Sequence, residues 1–454
     1  MTLRAWLLAA VAALGCAGGS AQGKDDPQLA AEAAGQKLLT EQLADYMQYA
    51  RPEMLNPLLA DFVARVWVDY TLFAQAAIKG ATFTDSATMV RALAFPIRQE
   101  TIRLWRDSLA RRRPRPDPAL ADSLYAKDSV RVFQHILFSV SGSTPAAEVQ
   151  QLRRRVETLL EQIARGANFA ELARKYSTDA SAAEGGYLAP RPRGSFVQPF
   201  DGIAWRLGPG EHSGLVVTPF GFHIIRRPPV DEVRDRLLAE VARRLEAKAD
   251  SAHTDSLITA SKLTVAPFAA DTIRAIVAGT ERPTGSRTVV VSFEGGGLTR
   301  ADLERELGGL PPEAAGNFAA AADSQLKTLA RLLGTTTLLE REARANGIRL
   351  PDSVVQRLAS EYRADVEGLR ALMRIDSLVR ATPGAALADS TAYRTLQLLG
   401  RFVGNQVRYR PLPAGLAEML RSTMPYRLHP TSIRKATEAA GLRRRDSTGK
   451  ARAS

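Results

Sequence analysis

The sequence predicts an α+β protein in which a mixed domain, residues 129–229, is inserted between mainly α-helical segments. Three observations predict it. Apolar residues recur at helical spacing on both sides. Between Arg131 and Arg227 the pattern changes to short apolar runs of strand character. Proline-rich stretches, Arg111 to Pro118 and Pro228-Pro229, mark the two borders, where proline removes a backbone donor and fixes φ. A chain of 454 residues has length for two or three compact units.

Residues 1–21 read as an export signal: Arg4 supplies a positive start, Ala5 to Leu14 an apolar run, and Gly15 to Ala21 a stretch of small residues. That run is shorter than the about 20 apolar residues a bilayer span needs. Two processing patterns fit. In one, Cys16 of Ala13-Leu14-Gly15-Cys16 is acylated as in a lipoprotein and tethers the chain to a membrane; in the other, cleavage follows Gly19-Ser20-Ala21. Either way the protein is expected outside the cytoplasm, in the periplasm or as a cell-envelope lipoprotein. Cys16 is the only cysteine, so the folded part has neither disulfides nor a thiolate metal site.

The net charge of +13 does not point to nucleic acid in an exported chain. Part of it lies in residues 431–454, with seven Lys or Arg against two Asp or Glu among Gly, Ser and Thr, a composition expected of a disordered basic tail.

In the first helical segment, residues 24–118, Phe62, Val66, Leu72, Phe73 and Ala76 keep helical spacing, and Thr84 or Asp85 can cap a following helix. In the mixed domain, Val132 to Phe138 and Phe222 to Ile225 read as strands. Between them lies a helix carrying Leu152, Val156, Leu159, Leu160 and Ile163, ended by Gly166, and a shorter one capped by Asn168. The second helical segment, residues 231–430, holds one strand signal, Val289 to Phe293, then Gly295-Gly296-Gly297 and a helix start at Thr299. Residues 72–86 and 339–353 share a pattern in which Leu72, Ala76, Gly80, Asp85 and Ser86 correspond to Leu339, Ala343, Gly347, Asp352 and Ser353. Both read as helix, glycine stop, aspartate cap, next helix.

Two of the five histidines, His135 and His223, sit inside the strand-like runs that bound the mixed domain. Taken alone, such a histidine is most often a satisfied core residue. Six short motifs accompany them: His135-Ile136-Leu137, Tyr176-Ser177-Thr178-Asp179, Gly185-Gly186-Tyr187-Leu188, Pro199-Phe200, Gly208-Pro209-Gly210-Glu211, and Thr218-Pro219-Phe220-Gly221-Phe222-His223-Ile224-Ile225. In order and separation they resemble the parvulin-type peptidyl-prolyl isomerases. The resemblance implies a four-stranded, mainly antiparallel sheet wrapped by helices. It places His135, Asp179 and His223 at the catalytic centre, and Leu188, Phe196 and Phe200 in the pocket for the substrate proline, with Thr218 and Phe220 beside them. It implies isomerisation without metal or cofactor.

The chain departs from that pattern at Tyr187, Ala189 and Arg191, where the family usually has aspartate, glycine and an aromatic residue. Ser139 to Pro145 carries no Lys or Arg, so the basic loop of phosphate-directed parvulins is missing. The insertion between helical flanks resembles the SurA and PrsA chaperone and foldase families, which implies as partners unfolded or nascent exported polypeptides containing proline. Two function classes fit: an active isomerase and folding chaperone, or a holdase whose parvulin-like domain binds peptides with little catalysis, for which the altered loop from Tyr187 to Pro192 speaks most directly.

Overall fold

The computed structural model describes residues 27–51, 54–127, 130–280, 284–382, 384 and 386–452, with side chains to residue 444. Residues 1–21, expected to be an export signal, and with them Cys16, lie outside the described residues. The chain forms two compact units, one made of Met1–Leu104 and Ile258–Ser454, the other of Trp105–Leu257.

The discontinuous unit begins with a hairpin, β1 (Leu29–Ala33) and β2 (Gln36–Leu39), turned by Ala34 and Gly35 at positive φ. Helix α1 (Thr40–Met47) follows, then α2 (Pro57–Ile78), whose N-terminus is capped by Asn56 accepting from Leu59 N–H at 2.9 Å. Every residue of α2 from Val63 to Gln75 is buried. A helix covered on all faces needs partners on every side. Gly80 stops the chain at φ +91, Asp85 caps α3 (Ser86–Ala92), and α4 (Ala94–Arg111) follows.

The continuous unit contains α5 (Ala119–Ala126), β3 (Gln134–Ser139), α6 (Ala146–Ala164), α7 (Phe169–Tyr176), a 3-10 turn (Ala180–Glu184), α8 (Gln198–Ala204), β4 (Val216–Thr218), β5 (Gly221–Arg226) and most of α9 (Val230–Ala260). Its sheet has the order β3-β5-β4, all antiparallel, with His135 opposite Ile225 and Leu137 opposite His223. The fourth edge implied by the family resemblance is made only by bridges, Gln134 with Tyr187 and Arg131 with Arg191. Proline at 190 and 192 accounts for this, since it cannot donate to a regular ladder. Both faces of the sheet are covered, which is why its strands read as unbroken apolar runs. Ile136, Phe138, Phe222 and Ile224 pack on Val156, Leu159, Phe169 and Leu172; Phe133, Val216 and Ile225 pack on Phe200 and Ala204. The unit is wider than 129–229, because Ala121 of α5 and Val233 and Leu237 of α9 cover Val130 and Val132.

The remainder of the discontinuous unit comprises β6 (Thr264–Val265), α10 (Ala269–Ala278), β7 (Val289–Phe293), β8 (Gly296–Thr299), α11 (Arg300–Gly308), α12 (Pro312–Ala319), α13 (Asp323–Ala345), α14 (Asp352–Leu372), α15 (Ile375–Ala381), α16 (Ala386–Val403), α17 (Ala414–Thr423), β9 (Tyr426–Leu428) and α18 (Pro430–Arg452). Helix α2 is enclosed by α12, α16, α17 and α18. The helical flanks thus also carry two small sheets, β2-β1-β9 and β6-β7-β8.

These two sheets are copies of one motif, with each residue of the second hairpin 260 positions after its counterpart. Leu29 pairs with Leu39, Ala31 with Leu38 and Ala33 with Gln36; correspondingly Val289 pairs with Thr299, Val291 with Leu298 and Phe293 with Gly296, with a bulge at the same place. The third strands match as well. Leu428 lies opposite Ala31 and Val265 opposite Val291. His429 N–H donates to Ala30 O and Ala266 N–H to Val290 O. Gln42 closes the start of α1 by accepting from Leu39 N–H, and Asp302 that of α11 by accepting from Thr299 N–H. Residues 72–86 and 339–353, similar in sequence, follow at an offset of 267 positions, with Gly80 and Gly347 both at positive φ. Only the first copy has an aspartate cap. The second is capped at Pro351, with Asp352 inside the first turn.

The tail expected to be disordered from residue 431 is helix α18. Ile433, Ala436 and Ala440 are buried in the same core as α1 and α2, while Arg443 pairs with Asp45 and Arg444 donates to Ala50 O. Small alanines at helical spacing supply the buried face, so the composition looks polar although one stripe is not. Among the described residues no helix is long and apolar enough to cross a membrane.

The nearly buried side chain of Arg421 on α17 donates to both oxygens of the buried Asp69 carboxylate on α2, at 2.8 and 2.7 Å, and to the carbonyls of Gly308 and Leu310. Asp69→Ala leaves that guanidinium buried without a counter-charge. Urea titration followed by circular dichroism should show a loss of about 3–5 kcal/mol. The double variant Asp69→Leu with Arg421→Met should lose far less.

Candidate functional site

The sheet of the continuous unit directs His135 and Leu137 of β3 to the same face as His223 and Ile225 of β5, by the period of two along each strand. The His135 and His223 rings stack with centroids 5.5 Å apart and planes 23° apart, and their Nδ1 atoms are 3.3 Å from each other. Phe200 stands edge-on to both rings, at 5.8 and 5.4 Å. Phe196 lies 4.9 Å from Phe200, and both pack with Leu188 on Phe133, Val216 and Ile225. Thr218 Oγ1 is 2.8 Å from His223 Nε2 and accepts from Phe220 N–H at 3.1 Å. Phe220 therefore enters through its backbone, while its ring is exposed at the rim.

Asp179 is brought over His135 by a stitched segment. Leu137 N–H and Asp179 N–H donate to Ser177 Oγ, Ser139 N–H donates to Thr178 Oγ1, and Thr178 N–H donates to Leu137 O. Tyr176-Ser177-Thr178-Asp179 thereby runs alongside β3 without being a strand. Two glycines permit the close approaches around it. A Cβ on Gly186 would lie 2.4 Å from His135 O, where the backbone instead accepts from His135 N–H, and a Cβ on Gly221, at φ +133, would lie 2.1 Å from Phe138 O.

His135 Nε2 lies 3.2 Å from both Asp179 Oδ1 and Ser181 Oγ. Burial alone would raise the Asp179 pKa, but hydrogen bonds from Ser181 and His135 outweigh it and hold the carboxyl below its usual range. Burial depresses His135 against the pull of Asp179, and burial together with the charge of His135 pushes His223 down to about 4. Both imidazoles are then neutral, and the network assigns their protons in one direction. An ionised Asp179 requires the His135 proton on Nε2. His135 Nδ1 is then an acceptor, so His223 donates from Nδ1 and accepts at Nε2 from the Thr218 hydroxyl. Thr218 in turn accepts from Phe220 N–H. Every link has one donor and one acceptor.

Two residues that sequence reasoning did not single out belong to this arrangement. Ser181 holds Asp179 through its N–H, at 2.8 Å from Oδ1, and faces His135 with its hydroxyl. The buried carboxylate of Asp201 accepts from Gly194 N–H and Phe196 N–H, fixing the loop that presents Phe196. A small serine and an aspartate in a helix's first turn carry no periodic signal that separates them from ordinary caps.

Tyr187 points to α9, where its hydroxyl donates to Glu232 and Arg236 stacks over its ring at 4.6 Å. Leu188, the next residue, alternates to the cleft side and donates its N–H to Phe133 O. Arg191 pairs through its backbone with Arg131, whose guanidinium lies over Trp205.

Residues 135–228 match the family model described as rotamase, PPIC-type PPIASE domain. The domain is of the PpiC type. Chaperone SurA of Cupriavidus metallidurans is 38% identical over 118 residues, 26% of this chain and 22% of that protein. Chaperone SurA of Methylobacillus flagellatus is 35% identical over 156 residues, 33% of each chain. The crystal structure of PrsA from Bacillus subtilis is 24% identical with a TM-score of 0.24, covering 32% of this chain and 55% of that one. The chain thus spans between about a fifth and a third of the length of these two curated relatives.

A histidine pair held neutral makes a pH prediction. The folded PpiC-type domain binds fewer protons than the unfolded chain below the ordinary histidine value of 6.5, so its stability is full above pH 6.5 and declines as pH falls toward 4. Hydrogen exchange at the β3 and β5 amides, corrected for intrinsic rate, should show protection falling over that interval. A flat profile would refute the neutral pair.

Proposed function

We propose that the chain is an exported folding chaperone whose PpiC-type domain accelerates cis–trans isomerisation of X–Pro bonds in unfolded or nascent exported polypeptides. The observation that carries this reading is the row of polar contacts from Thr218 through His223 and His135 to the Asp179 carboxylate, lying against the apolar cluster of Leu188, Phe196 and Phe200. Rotation about an amide costs about 18–20 kcal/mol because planarity comes from resonance. In the twisted transition state the carbonyl oxygen loses partial negative charge and the nitrogen recovers its lone pair. An apolar hollow holding the proline ring favours this less polar state over the planar one. A fixed negative carboxylate facing the carbonyl oxygen discriminates in the same direction, since it repels the planar amide more. Differential binding of this kind needs only about 4 kcal/mol for a thousandfold acceleration.

His135 and His223 serve on this reading as a neutral relay that sets the orientation of Asp179, with no proton passed to substrate. The holdase reading drew on the altered loop, and Tyr187 lies against α9 rather than in the cleft. Asp179→Ala and His135→Ala should each lower kcat/KM in a protease-coupled assay on proline peptides by at least about tenfold, or 1.4 kcal/mol, with an unchanged circular dichroism spectrum. Wild-type rates in both variants would remove the assignment.

The export signal supports a location in the periplasm or at the cell envelope. The mature chain recovered from that compartment should begin at Cys16 or after Ala21. Fatty-acid labelling lost in Cys16→Ser would establish the membrane tether; labelling that survives the substitution would exclude it.

A further inference from the structure

Helix α9 is bonded to the turn that carries Asp179. Asp179 opens the 3-10 turn Ala180–Glu184, after which Gly185 and Gly186, both at positive φ, bring the chain back beside β3. Ser181 N–H holds Asp179 Oδ1 at 2.8 Å, Ser181 O accepts from Gly186 N–H at 2.8 Å, and Gly186 O accepts from His135 N–H at 2.9 Å. The place of the Asp179 carboxylate therefore depends on how residues 184–187 are held.

Three of those four residues have a route to α9. Arg236 donates to Glu184 at 3.2 Å and lies over the Tyr187 ring, while the Tyr187 hydroxyl donates to Glu232 at 3.1 Å. Gly185 is held through two more side chains. Its carbonyl accepts from Gln134 Nε2 at 3.0 Å, Gln134 Oε1 accepts from Arg226 at 2.7 Å, and Arg226 donates to both oxygens of the Glu232 carboxylate, each at 2.7 Å. A guanidinium only donates and a carbonyl only accepts, so the buried Gln134 amide has a single orientation. Helix α9 is itself fixed by Val233 and Leu237, packed on Val130 and Val132. Glu232 and Arg236 both lie beyond residue 228, the last that matches the family model. Tyr187, where the chain departs from the family pattern, is the residue that both of them touch.

On the isomerase reading proposed above, we infer that Glu232 and Arg236 of α9 are positioning residues for isomerisation, which set the Asp179 carboxylate in place by way of Tyr187, Glu184 and the contact of Gln134 with Gly185. Neither touches the substrate. A carboxylate that separates the planar from the twisted amide does so only by where its charge stands, and a displacement of about 1 Å is enough to lose much of such an effect. The apolar cluster is held by other contacts, Leu188 N–H on Phe133 O and Phe196 N–H on Asp201. Loosening α9 from residues 184–187 should therefore lower kcat and spare KM.

The test uses the full chain, with kcat and KM for proline peptides measured in the protease-coupled assay. Glu232→Gln keeps the shape and removes the charge; it should lower kcat at least about threefold with KM unchanged within about twofold. Arg236→Met should act in the same direction and by less, and it is the variant that keeps the fold safe, since the side chains of Arg236 and Glu184 are 38% and 70% exposed. Arg234→Ala cuts α9 from Asp122 of α5 without touching residues 184–187, and should leave both constants at their wild-type values. The deciding measurement combines Glu232→Gln with Asp179→Ala. If Glu232 acts through the carboxylate, the second change adds nothing to the first, whereas damage to the fold would lower the rate of the Asp179→Ala chain as well. Unchanged kcat in both Glu232→Gln and Arg236→Met overturns the inference and leaves the isomerase reading intact. So does an equal loss in the Asp179→Ala background, a loss carried by KM, or an equal loss in Arg234→Ala, which would make α9 a general support. A wild-type chain without isomerase activity, or a wild-type rate in Asp179→Ala, removes the isomerase reading itself and the inference with it.

Discussion

The discontinuous unit depends on one constraint, the covering of α2. An unbroken buried run from Val63 to Gln75 cannot be stable on the surface of a small helical arm, and β1 is its main neighbour among the elements that precede the inserted domain. Helices α12, α16, α17 and α18 supply the other sides, all from beyond residue 310. The polypeptide must therefore leave after α4, build a separate domain and return before its first long helix is satisfied. The Asp69–Arg421 pair shows the same dependence in electrostatic form. Its carboxylate comes from one side of the insertion and its guanidinium from the other, and each is buried only because its partner is present.

Within the PpiC-type domain the governing constraint is that buried imidazoles stay neutral. Burial depresses both histidines, and a neutral pair of facing Nδ1 atoms can hold one proton between them. The ionised Asp179 at one end and the Phe220 amide at the other decide which ring donates. A loop that is not a strand is fixed by hydroxyls of Ser177 and Thr178 reading the β3 backbone, and the carboxylate of Asp201 does the same for the loop before Phe196. Positioning falls to short polar side chains bonded to backbone groups, while the apolar residues supply the surface on which the amide would rest.

The parts legible in the sequence are those where an unusual backbone or a strong period leaves a mark. Gly186 and Gly221 stand where a Cβ would collide with a neighbouring strand, and Val132 to Phe138 reads as a strand because both its faces are covered. The cluster of His135, Asp179, His223 and Thr218 was implied by the family resemblance and not by spacing: the sheet register brings the histidines and Thr218 together, and Asp179 joins them from a loop. Less legible were elements built from small residues. The first hairpin, Leu29-Ala30-Ala31-Glu32-Ala33, has low strand propensity and is stabilised by pairing with β9 almost four hundred positions away in sequence. Helix α18 hides its buried face in alanines among arginines. The side of the chain on which Tyr187 emerges was not legible, because it depends on the bridge between Gln134 and Tyr187, a long-range pairing that no local pattern encodes.

The duplication explains how so large an insertion is tolerated. Each hairpin needs a third strand, and each receives it from outside its own copy: β6, which follows the inserted domain, completes the second hairpin, and β9, which follows the second copy, completes the first. In the second copy the excursion between α14 and β9 is short, holding α15 to α17; in the first copy the excursion after α4 holds an entire domain. Loop closure grows only as the logarithm of length, so lengthening a connection about threefold costs about 1 kcal/mol. Against the burial of α2 on all sides that cost is small. An inserted domain with its own core, closed by α5 and the start of α9 over Val130 and Val132, adds no demand on the core it interrupts. A duplicated helical framework can hence carry a PpiC-type domain in one copy and none in the other without a change in the motif itself.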